Sequence, residues 1–413
     1  MSPSNNRLLL TSEEHFTVAG SGAVYSRGPA TYSFWSRYLD VFDQVIVLAR
    51  VASREREPES DENNHSQRAD GPGISFRPLP DHTGPWQYLR ARSNAQAIAR
   101  QAIADCDSYL LRVPGVVSQM VWQEILQLKK LYSVEVLGDP WDALGPGTWP
   151  HPTRPAFRLI ATRQLKQICA SASALNYVTT HALQCRYPPS SNASVSVFSD
   201  VELALAPANI IQERHRRLRA SSWRARQTGT PIRLGFIGSF SRLYKGADVL
   251  LRAAAFCQQK GLNFCLTLVG DGHHLQEMKS LAATLGIAER THFPSQLPPG
   301  KPIFDFLDSL DLFVLPSRAE GMPRALLEAM ARGCPSIASN IGGIPELLAP
   351  ADLVPVGNSE HLANLILKCA SDPNRLVAMS ERNFATAQRF SPQVIREARH
   401  AFLQTVKTLS QSR

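Results

Sequence analysis

Two glutamates eight positions apart, Glu320 and Glu328, stand in the stretch Asp311 to Leu348, DLFVLPSRAEGMPRALLEAMARGCPSIASNIGGIPELL. The apolar run Leu312 to Leu315 reads as a buried strand, and Pro316 and Ser317 stop it. Pro323 then suits the first position of a helix, where a missing N–H costs nothing; Gly333 ends that helix and Pro335 follows. Glu320 therefore belongs to the turn at the strand's carboxyl end, and Glu328 lies more than one turn into the helix, on the face of Arg324. Carboxylates accept paired hydroxyl protons, free amides at a helix start meet negative charge, and open parallel sheets bind ligands at this edge. A ligand with a sugar, a diphosphate and a ribose fits that set. The plainer reading pairs Glu328 with Arg324 at i, i+4 on a solvated face and leaves Glu320 as a loop carboxylate.

A second site-like turn lies in PIRLGFIGSFSRLYKGADVLLRAAAF, a strand, a turn and a helix whose Val249, Leu250, Ala253 and Ala254 share a face. The turn carries Gly238, Ser239, Arg242 and Lys245, the last directly before Gly246.

The run EGMPRALLE has the Glu, seven residues, Glu spacing and closely resembles the donor-site signature of retaining glycosyltransferases of family 4, the group 1 type. That resemblance implies an α/β chain with the GT-B fold, two facing Rossmann-like domains with an interdomain cleft. It also implies that Glu320 contacts hydroxyls of the transferred sugar and Glu328 holds the ribose. Backbone near Gly321, Met322 and Pro323 would flank the sugar, with Pro323 donating no N–H, and Arg324 completes the donor-binding set. The turn after Gly238 resembles the family's phosphate turn. Lys245 falls on its lysine position, whereas the arginine position is Ser239 here, with Arg242 as the substitute. GGIPEL, from Gly342, matches the family's wording as structural support. LTLVGDGHHLQEM resembles its second strand and turn, and FPSQL has Pro294 where a glycine near the base is common. His273 and His274 are adjacent on a helix and point apart, which is not the i, i+4 geometry of a metal pair.

The implied activity moves a hexose-type sugar from a nucleotide diphosphate sugar to a glycan, lipid-linked or small-molecule acceptor. No cofactor is called for. Metal is not expected either, since no paired-aspartate motif stands near the donor turn and Lys245 with Arg242 can serve as fixed cations. A nucleotide-sugar epimerase or phosphorylase on the same fold, and a noncatalytic binding subunit, remain open.

Composition agrees with a two-domain globular enzyme: 413 residues exceed one usual core, and 44% hydrophobic with 19% charged is ordinary usage. Seven scattered cysteines without a C-x-x-C pair suit reduced thiols. The opening MSPSNNRLLLTSEEHF has an apolar run cut by Glu13 and Glu14, too short for a signal peptide, so a cytoplasmic chain is expected. The charge of +9 gathers partly in ERHRRLRASSWRARQT, with Arg214, Arg216, Arg217, Arg219, Arg224 and Arg226 around Leu218 and Trp223. A peripheral membrane contact is one reading of it, a solvated helix and linker the other. No zinc spacing or RNA-binding aromatic motif appears, so no nucleic-acid partner is expected.

The elements that must position these residues alternate as strand and helix, the pattern of parallel sheets. In the first half strands are expected at Leu8–Thr11, Gln44–Ala49, Ile74–Arg77, Ser108–Leu111, Ser133–Leu137 and Asn176–Thr179. The polar string Ala52–Gly73 is expected to be a mobile surface loop. On the acceptor side, Arg112 and Asp139 stand at strand carboxyl ends facing the cleft. Asp139 is a catalytic candidate that a helix N-cap role would explain as well. Gly20 and Gly22 fail a dinucleotide fingerprint, because Tyr25 stands where the third glycine is needed, and are expected beside the acceptor and the diphosphate. The expected domains are 1–205, a basic linker 206–230, a donor domain 231–390, and a terminal helix 391–413. That helix should turn Val394, Ala398, Ala401, Phe402 and Val406 against the first half.

Overall fold

Two largely parallel sheets, each covered by helices, carry the chain. The computed structural model describes residues 6–53, 66–81, 85–148, 151–220 and 229–411. The strands of the first half are β1 (Arg7–Val18), β2 (Val24–Ser26), β3 (Gln44–Ser53), β4 (Gln67–Arg68), β5 (Ile74–Pro80), β6 (Ser108–Val113), β7 (Ser133–Val136), β8 (Ala174–Tyr177) and β9 (Ser194–Val197). The parallel ones run β5-β3-β1-β6-β7-β8-β9, with β2 and β4 as an antiparallel ribbon beside the far end of β1. Side chains alternate across β1 as burial on both faces demands: Leu8 and Leu10 enter one hydrophobic core and Leu9 the other.

The second half has β10 (Ile232–Ile237), β11 (Phe264–Val269), β12 (Thr291–His292), β13 (Leu312–Leu315), β14 (Ser336–Ser339) and β15 (Leu353–Val354), all parallel, ordered β12-β11-β10-β13-β14-β15. The order reverses between β10 and β13, so the loops leaving their carboxyl ends diverge and open a crevice. Lys245 follows β10 and Glu320 follows β13. In the first sheet the same reversal falls between β1 and β6.

β1 outruns its apolar stretch. It shifts register against β3 between Thr11 and His15 and continues to Val18, so Gly20 and Gly22 turn an exposed hairpin into β2, with Gly22 at φ +84. Their expected place by the acceptor is thereby corrected: the cavity between the halves is lined by Ser12, Glu13 and Glu14, at the register shift, and not by these glycines. Residues 54–65 of the polar string lie outside the described residues, and Gln67 and Arg68 beyond them pair with β2 instead of looping free.

The basic string needs a larger correction. Ala208–Ala220 is a helix of the second half, and Arg214, 1% exposed, donates to the carbonyls of Leu310 at 2.5 Å and Leu307 at 2.8 Å. Those carbonyls end the helix Lys301–Ser309, where acceptors lack helical partners, and a buried guanidinium requires them. Arg217 pairs with Asp311 at 3.2 Å and Leu218 is fully buried. Arg216 and Arg219 remain on the surface, while Trp223, Arg224 and Arg226 lie outside the described residues. For Arg214 and Arg217, neither a solvated nor a membrane-facing helix holds.

The last helix, Pro392–Gln411, lies on the first sheet. Phe402 meets Phe198 with ring centroids 5.8 Å apart, the hydroxyls of Ser108 and Ser410 are 2.9 Å apart, and Lys407 donates to the Val41 carbonyl at 3.1 Å. Its buried side is Ile395, Phe402, Leu403 and Val406; Val394 and Ala401 face solvent instead of the core.

Candidate active site

The crevice between β10 and β13 brings Lys245 to Glu320. The lysine Nζ donates to both carboxylate oxygens, at 2.8 and 3.0 Å, and Ser317 Oγ donates to the same group at 2.6 Å. Glu320 is 8% exposed. Burial alone pushes the Lys245 ammonium down in pKa, but the adjoining carboxylate outweighs it and holds it up. The carboxylate expected at the sugar and the cation expected at the phosphate are thus each other's partner in this structure.

Local geometry explains how they meet. Gly246 has φ +77, and a Cβ there would stand 2.0 Å from the Pro316 carbonyl oxygen, so only glycine lets the two crevice loops touch. Arg318 fastens them: its N–H donates to the Tyr244 carbonyl at 2.6 Å, and its guanidinium to the Leu243 carbonyl at 2.8 Å and to Asp248 at 2.6 Å. Nothing in the spacing distinguishes Arg318 from a surface arginine, and sequence reasoning passed over it. After Gly238, Ser239 closes the turn by accepting from the Ser241 N–H at 3.1 Å. Arg242 is exposed, with no hydrogen-bond or ion-pair partner among the described residues, and lines a cavity of about 740 Å³ with Arg154, His273 and His274. His274 pairs with Glu277 at 2.7 Å, and His273 is exposed.

Pro323 is extended, φ −74 and ψ 111, so it caps the helix instead of opening it; the helix runs Arg324–Ala331. Its first N–H to reach a helical carbonyl is that of Leu327, bonded to Pro323, which leaves the amides of Arg324, Ala325 and Leu326 without helical acceptors. Glu328 is half-buried and, among the described residues, has no hydrogen-bond or ion-pair partner. The i, i+4 pair with Arg324 does not form. Burial pushes the Glu328 carboxyl above the usual range, and Arg324 offsets this only in part. A desolvated carboxylate left unpaired invites hydroxyl donors.

Across the cleft, Glu13, Glu14, Phe34 and Arg112 line a cavity of about 310 Å³ to which the second half contributes Arg324. Glu13 accepts from the N–H of Val117 at 2.8 Å and of Ser118 at 3.3 Å, at the start of the helix Val116–Gln127. Glu14 accepts from Ser26 Oγ at 3.2 Å, and burial raises the pKa of both carboxyls. Neither glutamate was among the expected site residues; their signal was two adjacent carboxylates separated by two residues from the apolar run Leu8–Leu10. Arg112 is braced by Glu135 at 2.7 Å, the Tyr38 hydroxyl at 3.0 Å and Asp200 at 3.3 Å. Asp139 is committed to structure. It N-caps Pro140–Ala143 through the Trp141 N–H at 2.8 Å, and Arg186 and the Tyr187 hydroxyl hold its carboxylate, which corrects its candidacy as a catalytic group.

The halves touch at the sugar loop itself. A Cβ on Gly321 would stand 2.2 Å from the Leu137 carbonyl oxygen, and Met322, though part of the second half, packs on a hydrophobic core of the first sheet. Behind it, the Gly343 N–H donates to the Gly321 carbonyl at 2.9 Å. Glu346 crosses to the first half and accepts from the N–H groups of Thr180 (2.6 Å), His181 (3.0 Å) and Ala182 (2.8 Å). Gly321→Ala is expected to wedge the halves apart, lowering turnover about tenfold or more while leaving the crevice between β10 and β13 intact. Small-angle scattering should then report a larger radius of gyration, and an unchanged radius with full activity contradicts the contact.

Comparison with known proteins agrees with this geometry. Residues 221–386 match the family described as glycosyl transferases group 1. Protein CapJ of Staphylococcus aureus is 25% identical over 334 residues, 78% of each chain. Other curated relatives, at 28 to 32% identity, align over less than half of their own length. Among solved structures, sucrose-phosphate synthase from Thermosynechococcus elongatus superposes with a TM-score of 0.71 at 16% identity, over 98% of this chain and 99% of its own. Anabaena HepE, solved with UDP and glucose, superposes with a TM-score of 0.63 at 18% identity, over 98% and 99%. Residues 221–386 thus resemble the group 1 glycosyltransferases, and the whole chain is built on the GT-B fold.

Proposed function

We propose that the protein transfers a hexose-type sugar from a nucleotide diphosphate sugar to an acceptor hydroxyl with retained anomeric configuration, in surface polysaccharide, glycolipid or glycoconjugate synthesis. The observation that carries this reading is the buried Lys245–Glu320 pair at the sheet's crossover, with the unpaired Glu328 farther along the adjoining helix. That HepE was solved with UDP and glucose supports such a donor.

In this reading the donor's diphosphate takes Lys245, with Arg242 and the amides opening the helix at Arg324 as further positive partners. Glu320, released from the lysine, holds sugar hydroxyls and stabilises positive charge growing at the anomeric carbon. The bond from that carbon to the diphosphate breaks and its electron pair leaves with the phosphate oxygen. The acceptor oxygen bonds on the same face and passes its proton to that departing oxygen, so no separate enzymic base is required. Fixed cations neutralise the leaving group, which makes the reaction metal-independent. The acceptor is a glycan, a lipid-linked sugar or a small molecule, entering beside Glu14 and Arg112.

A thermal-shift screen over UDP, GDP, ADP and their sugars tests the reading, because a ligand at a hundred times its dissociation constant stabilises by about 2.7 kcal/mol. No shift with any of them overturns it. Glu328 provides a finer check. Its ionised form is the one that accepts ribose hydroxyls, and its pKa is raised by burial. Nucleotide affinity should therefore fall as pH drops through a range above that of an ordinary glutamate. Glu328→Gln should flatten that profile and cost about tenfold in affinity at neutral pH. A pH profile identical in both proteins removes Glu328 from the site.

A further inference from the structure

We propose that the helix Arg154–Ser171 is a docking face for an anionic lipid surface, which brings the mouth of the cleft to the membrane. Three of the large apolar side chains most open to solvent fall within four residues on it: Phe157 at 46%, Leu159 at 55% and Ile160 at 51% exposure. The helix, RPAFRLIATRQLKQICAS, has four basic residues, Arg154, Arg158, Arg163 and Lys166, and no acidic one. Thr162, Leu165, Ile168 and Cys169 turn inward. Leu159 and Ile160 precede Arg163 and Lys166 by three to seven positions, the spacing that sets side chains along one face. Arg163 and Lys166 are exposed and have no acidic partner among the described residues.

Exposed Leu and Ile followed by unneutralised cations match an interface whose outer layer is anionic and whose next layer is hydrocarbon. A protein partner would have to supply a comparably acidic rim around an apolar pocket, whereas an anionic bilayer presents both chemistries at once. Among the described residues no helix is long and apolar enough to cross a membrane, so the contact lies in the interface plane. The position on the molecule adds a reason. Arg154, in the first turn of this helix, lines the same 740 Å³ cavity as Arg242. It is anchored there by donating to the Gly145 carbonyl at 2.6 Å. Arg158, which donates to the Trp141 carbonyl at 2.6 Å and stacks 3.7 Å over that ring, holds the helix rigidly against the segment before it. A lipid surface touching Leu159 and Ile160 therefore stands beside the cleft. This places the membrane contact on a helix other than the arginine-rich one, and it holds whether or not the reaction proposed above is correct.

The test is sedimentation of the full chain with vesicles of phosphatidylcholine alone and of phosphatidylcholine mixed with phosphatidylglycerol. Binding is expected only to the mixed vesicles and should weaken with salt. Leu159→Ser with Ile160→Ser, and separately Arg163→Gln with Lys166→Gln, should each reduce partitioning about tenfold or more, at roughly fivefold for each cation removed. Both pairs are exposed, and an unchanged melting temperature of the free protein shows that the variants remain folded. Equal binding of wild type and both variants overturns the assignment, as does no binding to anionic vesicles. A concentration-dependent dimer lost on Leu159→Ser would also overturn it, in favour of self-association.

Discussion

Glu320→Gln should lower turnover by roughly a hundred- to a thousandfold while leaving the affinity for free nucleoside diphosphate unchanged or improved. The two halves of this expectation come from the same contact. The substituted amide would keep an oxygen for the Ser317 hydroxyl, now at 2.6 Å, but would carry no charge to balance a cationic anomeric carbon. The lysine that Glu320 holds at 2.8 Å would lose its anionic partner and meet a diphosphate without first surrendering a carboxylate. Steady-state rates with calorimetric titration of UDP check both; a variant with wild-type turnover removes Glu320 from the chemistry.

Lys245→Ala should lose affinity according to phosphate number: roughly tenfold to a hundredfold for nucleoside diphosphate, less for monophosphate, and almost none for nucleoside. It should also destabilise the protein by about 3 kcal/mol, because Glu320 would remain buried beside Ser317 without its cation. Adding Glu320→Gln removes the stranded charge and should restore stability without restoring diphosphate affinity. That double-mutant comparison separates the phosphate role from the packing role. Titrations belong at one ionic strength, since screening alters each charged contact. Equal losses for all three ligands would mean that Lys245 serves the fold and not the phosphate.

How much of this was legible beforehand depended on whether the signal was local. The crevice strands and the turns after them could be read because Leu312–Leu315 and Ile232–Ile237 are short apolar runs bounded by proline or glycine. Residue type and spacing placed Glu320 in the turn after one strand and Glu328 in the helix beyond it, while Lys245 was assigned to the phosphate turn by the resemblance to group 1 glycosyltransferases. Pro323 fell one position from its expected place because helix termini turn on a single φ, ψ pair. The Lys245–Glu320 contact itself was not legible, since it joins residues 75 positions apart through a sheet order that no local pattern prints.

The errors have a common cause as well. Arg214 looked like surface charge because its acceptors, Leu307 and Leu310, are carbonyls that any residue carries. Gly20 and Gly22 looked like a ligand loop because the continuation of β1 beyond Thr11 is polar, and pairing with β3 sustains it where hydrophobicity does not. Asp139 stood at the expected strand end, yet Arg186 and Tyr187, more than forty positions on, claim its carboxylate. Glu13 and Glu14 escaped notice because they were read only as an interruption of an apolar run.

The central claim, transfer with retention, is tested most directly by following the anomeric proton of the sugar by NMR during turnover of an α-linked nucleotide diphosphate sugar. The account predicts nucleoside diphosphate released together with a product, first formed, whose anomeric coupling is that of the α configuration, on an acceptor or on water. A β product, or sugar phosphate formed only when free phosphate is supplied, would contradict it.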